Sequence, residues 1–325
     1  MVRTDLEQVA EEIRGGDRFL LTTHENPDGD ALGSLLAMHQ ILGALGKDSV
    51  MFLAAKEFPL PVEYRFLPLE EVFHESPADM PDRIVIFLDC GNAERMPVDF
   101  LNNSGNKVLN IDHHHDNTRF GTVNLVDVGV SSTAEIVYEL AGILGVDLTL
   151  EIANALYVGL VTDTGKFMYE NTDSRSHRMA AALLDAGVDV NDIYRRLYEH
   201  APIEKLRLIA LALNGIEIHE EGLAATYISK ADYESTGASE VLTEGIIDHL
   251  RTIDGIAVAA VVRDRTDGSG SERKVSLRST DGRVDVSRIA REHGGGGHRR
   301  AAGFGTDLPY EEVVAFLRAE IAADS

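Results

Sequence analysis

Phe19-Leu20-Leu21-Thr22-Thr23-His24-Glu25-Asn26-Pro27-Asp28-Gly29-Asp30-Ala31-Leu32-Gly33-Ser34 reads as a strand, an acidic turn and the opening of a helix. The apolar run ends at His24. Pro27 and Gly29 shape the turn, one by fixing φ and the other by tolerating almost any backbone angle. From Ala31 to Leu45 the apolar residues keep a helical period, and Gly46 ends it. Three more runs of strand length follow, at residues 49–53, 83–88 and 107–111. Near-continuous apolar strands alternating with helices predict a parallel sheet covered on both faces. Such sheets collect ligands beyond the carboxyl ends of their strands. His24, Asp89 and Asp112 each come directly after one of these runs.

Helices are expected near 131–145, 150–161 and 174–186, and again from Asn191 to Asn214 with a break at Pro202. From Ile216 onward the pattern changes to short strands at 223–228, 257–262 and 274–278, with 266–271 as a hairpin loop. The expected α/β architecture is therefore a parallel-sheet catalytic domain over 1–188, a helical linker over 189–214 and a smaller α/β substrate domain over 215–325, with a cleft between the domains.

The chain has 325 residues, 44% of them apolar, which is enough for two buried cores. No apolar run approaches the roughly 18 residues of a membrane-spanning helix. The first residues lack the basic-then-apolar pattern of a signal peptide, and the single cysteine, Cys90, excludes an internal disulfide. A cytoplasmic protein without a membrane partner is expected. A net charge of -24 argues against a groove for long nucleic acid, which needs many cations. The charge is uneven, however. Residues 263–300 hold ten basic and six acidic residues, a net +4 against -28 elsewhere. A local basic patch on an acidic body suits a small anionic ligand.

Carboxylates and imidazoles together favour Mn²⁺, Mg²⁺, Fe²⁺ or Co²⁺; with one cysteine, a thiolate-rich zinc site is excluded. His24, Asp28 and Asp30 share one loop, and Asp28 and Asp30 can point to two different ions. Asp89 is placed to bridge them, with His113 and Asp163 completing the donor set of the second ion. Two cations about 3.5–4 Å apart turn water into hydroxide and neutralise a phosphoryl transition state. Taken singly, Asp28 and Asp30 also fit helix N-caps, Asp163 a loop cap, and the triplet His113-His114-His115 a solvated loop. Cys90 fits core space. His39, His74, His177, His200, His219, His249 and His293 read as structural.

The chain resembles the DHH phosphoesterase family, with Asp112-His113-His114 as the signature. Its other motifs correspond to His24–Asp30, Asp89-Cys90-Gly91-Asn92 and Thr162-Asp163-Thr164-Gly165, and Gly294–Gly303 resembles the family's associated C-terminal domain. The resemblance spans nearly the whole chain. It implies one Mn²⁺ on His24, Asp28 and Asp89, and a second on Asp30, Asp89, His113 and Asp163, with Mg²⁺ or Co²⁺ as alternatives. It makes His114 the contact to the substrate phosphate and the acid for the leaving group, and places Asp112 behind the ligands, orienting the imidazoles. The role of His115 is left open. Gly295, Gly296, Gly297 and His298, followed by a helix-like Arg299-Arg300-Ala301-Ala302, would grip a nucleotide phosphate together with Arg278 and Ser279.

Family branches with an added oligonucleotide-binding fold, a different C-terminal domain or transmembrane segments fit this chain poorly. What remains is the two-domain branch that degrades short oligoribonucleotides (nanoRNA) to mononucleotides and converts 3′-phosphoadenosine 5′-phosphate (pAp) to AMP. The alternatives are a phosphodiesterase for pApA or cyclic di-AMP, and a nucleotide sensor without turnover. Relatives of this kind often form homodimers.

Overall fold

The computed structural model describes residues 3–93, 105–199, 201–266, 268 and 270–324. His200, and Asp267 and Ser269 of the expected hairpin loop, lie outside the described residues. The backbone divides into two compact units, Met1–His200 and Ala201–Ser325, each with its own sheet. No described helix is long and apolar enough to cross a membrane.

In the first unit, β1 (Arg18–Thr22), β2 (Asp48–Met51), β3 (Ile84–Leu88), β4 (Val108–Asp112) and β5 (Val123–Val126) pair in parallel in the order β2-β1-β3-β4-β5. The period-two alternation of a strand splits the apolar residues between the faces. Phe19 and Leu21 enter a large cluster, whereas Leu20 lies with Phe52, Met80, Val85, Phe87 and Cys90 on the other side. Helices α1 (Arg3–Gly15), α2 (Gly29–Ala44), α3 (Thr133–Leu144) and α4 (Leu150–Asp163) all contribute to the large cluster. The described members of the opposite cluster come from strands and connecting segments. Strand β5, with Asn124 interrupting four residues, is too short to stand out in the sequence.

The order reverses between β1 and β3, because β2 lies on one side of β1 and β3 on the other. This switch point leaves a crevice beyond the carboxyl ends of those two strands. The crossing of α2 and α4 fixes a second boundary. A Cβ on Gly33 would fall 2.4 Å from the Ala155 carbonyl oxygen, and one on Gly159 would fall 2.8 Å from Asp30 Oδ1. Glycine at both positions lets the backbones touch, which sets the start of α2 against the end of α4.

Residues 174–214 form α5 (Ser174–Asp185), α6 (Val190–Tyr198) and α7 (Ile203–Asn214), with Pro202 as the N-cap of α7. The division between the units falls between α6 and α7, and Leu208 and Ala212 of α7 pack in a C-terminal cluster. That unit continues with β6 (Glu217–Ile218), β7 (Leu223–Ile228), α8 (Lys230–Thr236), α9 (Ile246–Leu250), β8 (Val258–Asp264) and β9 (Arg273–Ser279). It ends with α10 (Val286–Glu292), β10 (Gly296–His298), β11 (Ala301–Thr306) and α11 (Tyr310–Asp324). The sheet order is β10-β11-β9-β8-β7-β6, antiparallel except for β7 with β8.

One expectation is overturned here. Arg299-Arg300-Ala301-Ala302 does not begin a helix: residues 301–306 form β11, paired along its length with β9. Alanine favours helix only weakly, and a full ladder of strand hydrogen bonds outweighs that preference.

Replacing Gly33 with Ala should lower stability by about 1–3 kcal/mol, since the added methyl meets backbone that cannot swing away. Chemical denaturation followed by circular dichroism tests this; an unchanged midpoint would contradict the close crossing.

Candidate metal centre

All the candidate ligands of the first unit leave their elements at one rim. His24 lies just beyond β1, Asp89 directly follows β3, Asp112 ends β4, and His113 and His114 come next. Asp28 caps α2 and Asp30 lies in its first turn, while Asp163 is the last residue of α4. Three sets of donor atoms lie within 4.8 Å of one another: His24, Asp28 and Asp89; Asp30, His113 and Asp163; and Asp89, His113 and His114.

Asp89 joins the sets. Its Oδ2 is 3.5 Å from His24 Nε2, and its Oδ1 is 3.5 Å from His113 Nε2 and 3.6 Å from His114 Nδ1. It is buried and holds a left-handed φ of 58°. That conformation costs about 1–3 kcal/mol in a non-glycine residue and persists where the surroundings enforce it. Here Thr133 Oγ1 donates to Asp89 Oδ1 at 3.0 Å. Burial alone would raise the Asp89 carboxyl, but the three imidazoles hold it well below the usual carboxylate range.

The other carboxyls shift the opposite way. Burial pushes Asp163 up to about 8, aided by the charges of Asp89 and Asp28. Burial and then Asp89 raise Asp30 well above its ordinary value, although the α3 N-terminus donates to it from Thr133 N at 2.6 Å and Ala134 N at 2.9 Å. Asp28 is raised by the same two causes while remaining open to solvent on one side. It is an N-cap as well, accepting from the Asp30 and Ala31 N–H groups at 3.1 Å, so the cap and ligand readings hold together. Four carboxylates converging at low dielectric repel one another, and oxygen with imidazole nitrogen is the donor set that hard-to-borderline divalent cations take. The residues fit such ions.

Backbone and carboxylate partners fix the imidazoles. His24 Nδ1 lies 2.7 Å from the Glu25 carbonyl oxygen, which assigns it a proton and leaves Nε2 facing Asp89. Burial works against charge on His24, yet Asp89 outweighs it and the pKa is raised; on His113 burial dominates and the pKa is lowered. His113 Nε2 points at Asp30 (3.9 Å), Asp89 and Asp163 (3.7 Å). His114 differs. Its Nδ1 lies 2.7 Å from Asp112 Oδ1, so that nitrogen is committed to donation. Asp112 Oδ2 accepts from Asn117 Nδ2 at 2.5 Å, which leaves this buried carboxylate outside the three donor sets. His115 is exposed and belongs to none of them.

In the C-terminal unit, Arg278 pairs across the sheet with Ala301, and Ala301 with His298. Directly opposed residues share a face, so Arg278 and His298 project together. Ser279, the next residue, turns to the opposite face, where its Oγ accepts from Gly282 N at 3.1 Å in the following turn. The register thus separates Ser279 from the other two. The glycine run is an edge strand. A Cβ on Gly295 would fall 2.2 Å from the Gly303 carbonyl oxygen, and Gly297, at φ 134°, would meet the Ala301 oxygen at 2.5 Å. Close strand packing demands these glycines whether or not an anion binds near Gly296. Several cations of the basic window are neutralised: Arg273 by Asp264, Arg283 by Asp281 and Arg288 by Glu320.

Residues 18–160 match the pattern described as DHH family, N-terminal domain, and residues 222–323 match the DHHA1 domain. A curated relative from Thermus thermophilus, named bifunctional oligoribonuclease and PAP phosphatase NrnA, is 35% identical over 93% of this chain and 89% of its own. The protein of that name from Bacillus subtilis is 29% identical over 88% of each. Among solved structures, an exopolyphosphatase-related protein from Bacteroides fragilis superposes with a TM-score of 0.90 at 24% identity, covering 99% of this chain and 96% of that one.

The chain belongs to the DHH family.

Sequence reading of this DHH-family chain missed the residues that hold its candidate ligands in place. Thr133 bonds two candidate ligands at once, through its N–H to Asp30 and its hydroxyl to Asp89. The Ser132-Thr133-Ala134-Glu135 pattern marks a helix start, and Ser132 does cap α3; nothing local says that the start faces Asp30. Asn117 holds Asp112, and Asn171 Nδ2 donates to Asp163 Oδ2 at 3.3 Å. Neither shows a signal beyond being a polar loop residue.

The Thr133→Val variant keeps its shape and its N–H but loses the hydroxyl. Divalent-ion affinity should fall roughly 10-fold or more, as for other partners behind ligands, with the fold intact; calorimetric titration of the apoprotein with Mn²⁺ tests this. A cation must also displace the protons that Asp30 and Asp163 hold above the ordinary carboxylate range. Affinity should therefore weaken as pH falls below about 8, the value for Asp163. Titration in two buffers of different ionisation enthalpy should show proton release near neutral pH; its absence would contradict the raised carboxyls.

Proposed function

We propose that this chain is a Mn²⁺-dependent phosphoesterase that hydrolyses short oligoribonucleotides to mononucleotides and pAp to AMP. The observation that carries this reading is Asp89, whose two oxygens face His24 on one side and His113 on the other. That geometry suits one ion on His24, Asp28 and Asp89, and another on Asp30, Asp89, His113 and Asp163. Such a pair supplies charge neutralisation and a deprotonated water for attack at phosphorus. The curated relatives named as oligoribonuclease and PAP phosphatase support the substrate class.

The chain's own residues have separable tasks in this reading. Asp89, kept ionised by its imidazole neighbours, would donate to both cations without being protonated itself. Asp112 fixes the Nδ1 proton of His114, and the protonated ring hands the hydrogen on Nε2 to the leaving oxygen. Asn117 keeps Asp112 from rotating. In the C-terminal unit Arg278 and His298 hold a substrate phosphate on one sheet face. Ser279 contributes through the turn it closes. A reduced cytoplasmic setting agrees with the buried, unbridged Cys90.

The Asp89→Asn variant should lose several orders of magnitude in turnover, because both ions depend on that carboxylate. The decisive assay presents labelled RNAs of increasing length, pAp, pApA and cyclic di-AMP to the Mn²⁺-loaded protein, with metal analysis on the same sample. Preferential turnover of di- to pentanucleotides and pAp is expected. A preference for long strands, or for cyclic di-AMP alone, would overturn the substrate assignment. Nucleotide binding with no turnover of any substrate would make the protein a sensor.

A further inference from the structure

We infer that Lys274, with Ser276 and Arg263, forms a second phosphate subsite in the C-terminal unit, four residues along β9 from Arg278, and that it favours longer oligonucleotides over dinucleotides. The inference rests on the phosphoesterase reading above and extends it.

Residues 274, 276 and 278 alternate on β9, whose intervening Val275 and Leu277 lie in the core. The period-two rule therefore puts Lys274, Ser276 and Arg278 on one face, with neighbours about 6.7 Å apart along the strand and Lys274 about 13 Å from Arg278. This spacing resembles that of successive phosphates in an extended single strand. The burial of Val275 and Leu277 locks the register, since a one-residue slip would expose both.

Arg263 on β8 lies directly opposite Lys274. Its Nη1 donates to Ser276 Oγ at 3.3 Å, and its Nε lies 3.5 Å from Glu240 Oε1. Lys274 makes no ion pair or hydrogen bond among the described residues. Arg278 donates to the Leu277 carbonyl oxygen at 3.1 Å and likewise has no carboxylate partner among them. Like charges directly across a strand pair destabilise the sheet. A chain with 54 acidic and 30 basic residues has carboxylates to spare, yet of these two opposed cations only Arg263 has one, Glu240, among the described residues. Burial and the fields of Arg263 and Arg265 depress the Lys274 ammonium, with Glu240 and Glu244 offsetting only part of the effect. An anionic ligand would relieve that repulsion.

On the other side of β9, β11 sets Gly303 opposite Ser276 and Ala301 opposite Arg278. Neither carries a side chain that would cover the row, and His298 stands beyond Ala301. A dinucleotide held at Arg278 and His298 has little left to offer Lys274. A longer chain places a phosphate there, two steps beyond the one at Arg278.

The test compares wild type, Lys274→Ala and Lys274→Arg on diadenylate and pentaadenylate with Mn²⁺. In parallel, anisotropy of fluorescein-labelled pentaadenylate is measured in EDTA over a range of salt. The alanine variant should lose about 10-fold more kcat/KM on the pentamer than on the dimer, and its salt slope should drop by about one. The arginine variant should restore most of the length preference. Equal losses at both lengths, or no loss at either, would overturn the subsite while leaving the phosphoesterase reading intact. If wild type hydrolyses neither oligomer, that reading fails. The anisotropy then decides the subsite alone, and undiminished pentamer binding by Lys274→Ala refutes it.

Discussion

The site depends on one buried carboxylate kept ionised where burial alone would protonate it. Asp89 lies at the switch point of the first sheet, beyond β3 and beside the end of β1. Its charge is sustained by His24, His113 and His114 and by the Thr133 hydroxyl. The left-handed backbone at Asp89 belongs to the same arrangement. A relaxed strand end would keep the side chain in the pleat of β3, so the strain is the cost of turning both oxygens toward different imidazoles.

Around that hub the electrostatics are arranged by helix ends. The N-termini of α2 and α3 direct N–H groups at Asp28 and Asp30, which favours carboxylate over carboxylic acid. The C-terminus of α4 brings Asp163 in from the opposite pole, where partial negative charge favours a cation. The contact between Gly33 and Gly159 lets those poles meet. Stability and chemistry are therefore coupled: a methyl group at the helix crossing would press on the geometry of Asp30 and Asp163.

The C-terminal unit obeys a different rule. Among its described residues no buried acidic cluster matches the first, and its chemistry lies in strand register. One face of β9 is committed to the core through Val275 and Leu277, so the polar residues between them have a single direction left. The glycine run fits the same constraint, because β10 and β11 approach too closely for side chains at Gly295 and Gly297. Anion binding and strand packing ask for the same residue there, and composition alone cannot separate them.

Much was legible from the sequence. Apolar runs ending in His24, Asp89 and Asp112 marked the strands and the rim, since a strand buried on both faces must be apolar throughout and a polar residue marks its exit. The acidic turn and the histidine triplet named the candidate ligands, because only a few residue types offer oxygen and imidazole donors. The sequence could not show which donor faces which, for contacts such as Thr133 to Asp30 and Asp89, or Asn171 to Asp163, join residues far apart in the chain. Nor could it show that Arg299-Arg300-Ala301-Ala302 leads into a strand, or that Ser279 turns away from Arg278. Those outcomes rest on the pairing of β9 with β11, a non-local ladder whose hydrogen bonds override local propensity. Residue chemistry is thus carried by the chain itself, while orientation, protonation and partnership exist only once distant segments are packed together.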